Sequence, residues 1–172
     1  MARLKTNNHT KRVKIMFNVN SLDFEQKAVF LLAQHLDLLS SLDDVSGEDL
    51  AEIETYTHYN DGLIITIDGE EWVAYPDYEE AEKAAGEDIS QLLWAFNADF
   101  LASETGLDSI IFESLQPQCE WANDAILKLV EATCGLESFV ETAIGYDGLG
   151  HFLASYDGNE LELDDLYFFR LN

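Results

Sequence analysis

His151 lies four residues after Asp147 and six before Asp157, so the chain offers an imidazole with carboxylates able to orient it as a general base. Cys119 and Cys134 are the two thiols that such a base would activate as nucleophiles. Nothing completes the constellation. The sequence contains no Gly-rich phosphate loop, GxSxG elbow, HExxH or CxxC, and an enzyme needs a nucleophile, a base and an orienting group that converge. The expectation is therefore a protein without catalytic residues. Lying 15 residues apart, with no Cys/His cluster and no signal peptide ahead, the two cysteines read as reduced core thiols of an intracellular, cytoplasmic protein.

Carboxylates are the other groups able to do chemistry. An EF-hand loop needs oxygen ligands at alternate positions, a Gly at the sixth and a Glu at the twelfth. Asp147, Asp157 and Glu160 miss that spacing, and so does the run after Asp61. Neither a dedicated metal nor a cofactor is expected. What remains is charge: 34 Asp and Glu against 9 Lys and Arg, a formal net charge of −25 over 172 residues. Arg3, Lys5, Lys11, Arg12 and Lys14 all precede the first acid, Asp23, so few later carboxylates have a cation to pair with. A net charge of magnitude about 2 to 8 already keeps a small domain soluble, and excess beyond that works against the compact state. Disordered acidic chains are poor in aromatic residues, whereas this one has ten Phe, seven Tyr and three Trp and is 47% apolar, enough to close a core. The acid belongs to a folded surface.

Two clusters stand out as partner-binding candidates: Asp43, Asp44, Glu48, Asp49, Glu52 and Glu54 in one, and Asp77, Glu79, Glu80, Glu82, Glu87 and Asp88 in the other. The elements that carry them follow from periodicity. Residues 1–11 read as a basic flexible arm and 12–172 as a single acidic α+β domain. Arg12 to Asn20 alternates like a strand, Ser21 is placed to cap a helix over Leu22 to Leu39, and Ser46 opens a short second helix under the first cluster. Leu63 to Ile67 and Glu70 to Tyr75 flank Asp68-Gly69 as a hairpin. Asp77 to about Phe96 is the strongest helix, with a break possible at Gly86, and it bears the second cluster. Helices are expected over 98–104, 109–115, 117–133 and 136–144, with Trp72, Trp94 and Trp121 facing inward. Strand-like stretches at 151–156, 159–163 and 166–171 complete a small antiparallel sheet packed against acidic amphipathic helices. The four Asp-Gly dipeptides, at 61, 68, 147 and 157, read as turns needing positive φ. Tyr56, Tyr59 and Tyr146 are candidate partner contacts. The longest apolar stretches, Ala28 to Ala33 and Gly62 to Ile67, fall far short of the ~20 residues of a membrane span.

Acids spread over nearly every helix and turn form an array, with neighbours three or four apart on a helix about 5–6 Å from one another. B-DNA carries one charge per ~1.7 Å of axis, so half of roughly 30 unpaired carboxylates on one face would match about 25 Å of duplex, and a homodimer would double that. In size, acidity and α+β mixture, residues 15–172 resemble the DNA-mimic antirestriction and anti-CRISPR proteins of phages and mobile elements, of which ArdA is a type. The resemblance implies an inhibitor that occupies the basic DNA-binding surface of a restriction, CRISPR or other DNA-binding protein in a bacterial host, without binding nucleic acid itself. Two alternatives share the electrostatics: an immunity-type acidic interaction module for a basic partner unrelated to DNA mimicry, and a salt-adapted halophilic protein.

Overall fold

A computed structural model describes residues 22–38, 53–57 and 60–172. The chain divides into two compact units, Met1–Glu52 and Ile53–Asn172. The basic arm, the strand expected over 12–20, the helix expected from Ser46 and Tyr59 lie outside the described residues.

In the first unit, helix α1 spans Phe24–His35 and buries Ala28, Val29, Phe30, Leu32 and Ala33. Its cap is Asp23 rather than Ser21: the Asp23 carboxylate accepts the Gln26 N–H at 2.9 Å, and an acid suits the positive end of a helix.

The second unit is α+β. Its five-stranded antiparallel sheet has the order β1-β2-β3-β5-β4, with β1 Glu54–Thr57, β2 Leu63–Ile67, β3 Glu70–Tyr75, β4 Glu160–Leu163 and β5 Leu166–Arg170. The 63–75 hairpin is as expected. Asp68 (φ 50°) and Gly69 (φ 81°) are both left-handed, the two-residue turn whose twist matches that of its strands. The C-terminal hairpin is shorter than expected and turns on Asp164 and Asp165, at φ 49° and 66°. His151–Leu153 belongs to a helix and not to a strand. A five-residue helix is too short for its period to show, and Gly148 (φ 78°) restarts it directly after the previous one. Strand β1 was not anticipated, because four residues containing two threonines and a glutamate carry no apolar alternation.

Helix α2 (Tyr78–Gln91) packs against α6 (Leu136–Asp147) and α7 (Leu149–Leu153). Between them run a 3₁₀ turn at Leu93–Ala95, α3 (Ala98–Thr105), α4 (Ser109–Leu115), a 3₁₀ segment at Gln116–Ala122 and α5 (Asn123–Ala132). Gly86 does not break α2; a Cβ there would rest 3.4 Å from Val140. The helix expected over 117–133 is interrupted at Cys119, whose φ of 52° and ψ of −132° are not helical. Trp121, two residues beyond the break and just ahead of α5, is 90% exposed instead of inward. Cys119 is exposed too and Cys134 half-buried, so the core-thiol reading fails for Cys119; both are free thiols.

One core lies between one face of the sheet and the helices, and Ile65, Ala74 and Phe168 on the opposite face are buried as well. Ile64, Val73, Tyr75 and Phe169 meet Ala81, Ala84, Ala85 and Ile89 of α2, and Leu93, Leu101, Phe112, Ile126, Val130 and Phe139 extend it. The small α2 side chains let the helix approach closely. Phe96, Phe100 and Phe139 close the far end, with ring centroids 5.3–5.8 Å apart. Among the described residues no helix is long and apolar enough to cross a membrane.

Candidate functional site

The Ile53–Asn172 unit contains 26 carboxylates and three cations, Lys83, Lys128 and Arg170. Two of those cations are engaged within the fold. Lys83 Nζ stands 3.6 Å from Glu80 and 3.8 Å from Asp61, both exposed pairs. Arg170 Nη2 lies 2.8 Å from Glu70 Oε1, and its guanidinium sits 4.1 Å from the Tyr156 ring centre.

The acid is shaped most clearly in a groove of about 560 Å³ between α2 and α6. Its floor is Gly86, Leu136 and Val140, and its walls carry Glu79, Glu80, Glu82 and Glu87 from α2 and Glu137 and Glu141 from α6, beside Lys83. The sequence places these side chains by simple periodicity. The buried stripe of α2 is Ala81, Ala84, Ala85 and Ile89, so the positions flanking it open on the neighbouring helix. On α6, Phe139, Val140, Ala143 and Ile144 are buried, which turns Glu137 and Glu141, four residues apart, toward the rim. The α2 wall runs from residue 79 to residue 90, about 17 Å of helix at ~1.5 Å per residue.

The second acidic cluster is therefore split. Glu79, Glu80, Glu82 and Glu87 share the groove, whereas Asp77 is the N-cap of α2, its carboxylate accepting the Glu80 N–H at 2.9 Å. Asp88 opens on a different pocket and accepts from Asn60 Nδ2 at 3.2 Å. Of the first cluster, Asp43, Asp44, Glu48, Asp49 and Glu52 lie outside the described residues, and Glu54 begins β1. Glu137 and Glu141 are the groove residues that the sequence reading missed. Their i, i+4 spacing was visible, but that α6 lies beside α2 was not.

The field of these acids reaches nearby phenols. Burial first, then the charges of Glu82 and Glu160, raise the pKa of Tyr78 above the ordinary tyrosine value of 10.0. Burial followed by Glu162, Glu160, Asp165 and Asp77 does the same for Tyr167. The two rings meet edge to face at 5.8 Å.

Of the residues considered for catalysis, His151 and Asp147 line one pocket, and neither cysteine joins them there. Asp157 is turned to its own loop, accepting the Asn159 N–H at 2.9 Å. Among the described residues no group of three or more His, Cys, Asp and Glu side chains is placed to hold a metal ion. Tyr56 and Tyr146 are 52% and 75% exposed. No family model, curated protein or solved structure matches the chain.

Proposed function

We propose that this protein is an acidic decoy that occupies the DNA-binding surface of a basic protein, acting in the cytoplasm of a bacterial host. The observation that carries the reading is the charge density of the α2–α6 groove. Six carboxylates and one ammonium leave five net negative charges, the α2 carboxylates running from residue 79 to residue 87, about 12 Å. A single DNA strand presents one phosphate per ~3.4 Å, or about three to four over that length. A Lys/Arg channel built to follow one strand would meet a comparable line of charge here, and association would be fast, steered and strongly weakened by salt.

A second reading is favoured by the groove floor. Leu136, Val140 and Gly86 form an apolar strip that phosphates do not need but a protein side chain would fill, as an immunity-type partner would require.

The test is capture from bacterial lysate with the tagged full-length chain at low salt, alongside a variant carrying Glu80→Lys, Glu87→Lys, Glu137→Lys and Glu141→Lys. The decoy reading expects a DNA-binding enzyme that short duplex DNA or high salt displaces and that the variant fails to retain. Purified chain should not retard duplex DNA in a gel. A partner indifferent to DNA competition moves the conclusion to the interaction module.

A further inference from the structure

Strand β4 is an edge of the sheet, paired among the described residues with β5 alone. The register fixes which of its backbone groups stay open. Asp164 and Asp165 form a two-residue turn, so Leu163 and Leu166 are the hydrogen-bonded pair that closes it, and Leu161 with Phe168 is the next. Glu160 and Glu162 therefore turn their N–H and C=O groups away from β5. The same alternation sends the backbone groups of Tyr167 and Phe169 to β3, where they pair with Tyr75 and Val73. Among the described residues no hydrogen bond reaches the outward groups of β4, and Glu160 and Glu162 are both exposed. The Glu160 nitrogen lies against Gly150 of α7, so the open row consists of the Glu160 carbonyl and both groups of Glu162.

We propose that this edge receives a strand from a partner protein, an extended segment with Lys or Arg at alternate positions and apolar residues between them.

Charge selects the cations. The Glu160 and Glu162 side chains lie on the face of their cross-strand neighbours Phe169 and Tyr167, and neither has an ion-pair partner among the described residues. Burial and then the charges of Glu162, Glu160, Asp165 and Asp77 raise the Tyr167 pKa, so the field along this edge is that of uncompensated acid. Two residues of strand advance about 6.8 Å, which sets cations two apart on an added strand opposite the two carboxylates.

The other face selects the residues between. Leu161 and Leu163 are half-buried beside their buried neighbours Phe168 and Leu166, and an apolar side chain on the added strand extends that surface. In this mode of recognition the main-chain bonds supply affinity and the alternate side chains supply specificity.

A second copy of β4 does not suit the site. Antiparallel pairing of β4 with itself sets the glutamates of one chain against those of the other, and like charges placed opposite one another destabilise a sheet. The acid thus bars self-pairing while leaving the backbone open to a cationic strand. The assignment does not depend on the decoy reading, since β4 contributes nothing to the α2–α6 groove.

The experiment is an amide NMR titration of the full-length protein with acetyl-Thr-Lys-Val-Lys-Val-Lys-Thr-amide, with hydrogen exchange of the Glu162 amide followed alongside. Saturable shifts centred on residues 160–163 are expected, and the Glu162 amide should exchange at least tenfold more slowly at saturation. A peptide of the same composition with its lysines adjacent should bind at least tenfold more weakly. So should one N-methylated at the lysines, whose amides face β4 in antiparallel pairing, whereas N-methylation at the valines should change little. Glu160→Gln with Glu162→Gln should weaken binding and Glu137→Gln with Glu141→Gln should not, which separates this edge from the groove. Shifts spread over the whole acidic surface, equal binding of the lysine-methylated peptide, or an unchanged Glu162 exchange rate would overturn the proposal. Protection of that amide that grows with protein concentration in the absence of peptide would also overturn it, by assigning the edge to a second copy.

Discussion

Arg170, opposite Trp72 in the β3–β5 ladder, reaches diagonally to Glu70, with Nη2 and Oε1 2.8 Å apart, while the other Glu70 oxygen accepts the Trp72 indole N–H at 3.0 Å. Both charged side chains are about three-quarters covered, and Arg170 lies against the Tyr156 ring. Replacing Arg170 by Ala should cost about 1–2 kcal/mol, from one partly buried ion pair and one cation–π contact at roughly 0.5–1 kcal/mol each. Urea unfolding of R170A, E70A and the double variant checks this. A coupling energy near zero would show that the pair adds nothing.

Two glycines should respond in opposite directions. Gly86→Ala places a methyl at ordinary contact distance from Val140 in mid-helix and should stabilise by about 0.5–1 kcal/mol. Gly150→Ala drives a methyl into the 158–160 backbone, 2.7 Å from the Asn159 carbonyl carbon and 2.9 Å from the Glu160 nitrogen, and should destabilise by at least about 2 kcal/mol. Thermal melts of the two variants decide it.

Glu137 and Glu141 are a like-charged i, i+4 pair on the groove rim. Such a pair costs about 0.2–0.5 kcal/mol, and Glu141→Lys converts it to an attractive one of similar size. The variant should therefore be more stable than the parent by about 0.5–1 kcal/mol at low salt, with the gain shrinking as ions screen both pairs. Under the decoy reading the same change weakens partner capture. Stability and binding moving together would count against a functional role for this acid.

Alkaline pH should weaken the fold through Tyr78 and Tyr167. Their folded-state pKa values are raised, so the contribution of these phenols is fully present below pH 10 and is lost as pH rises through the higher folded-state values. Phenolate absorbance in the parent and in the Tyr78→Phe, Tyr167→Phe variant would locate these ionisations. Titration at or below the ordinary value would refute the arrangement.

Much of this protein was legible in its sequence where the information is local. The 63–75 hairpin follows from alternation broken by Asp-Gly, and α4 appears at the expected 109–115. The left-handed backbone at one or both residues of each Asp-Gly pair needs only the chemistry of those residues. The α+β class and the excess of carboxylates over cations are equally properties of pattern and composition.

Tertiary structure decided what lies beside what. Cys119 breaks a helix that periodicity would have continued, and Gly150 lets a short helix approach the backbone of 158–160 where alternation suggested a strand. Packing of α2 between the sheet, α6 and α7 sent Glu79, Glu80, Glu82 and Glu87 to one groove and Asp88 to another pocket, and supplied Glu137 and Glu141 from 50 residues further along. The physical reason is that turn chemistry and helical period act over a few residues. Which acids share a face depends on which helices the apolar stripes bring together, and those stripes of Ala, Ile, Val and Phe do not name their partners.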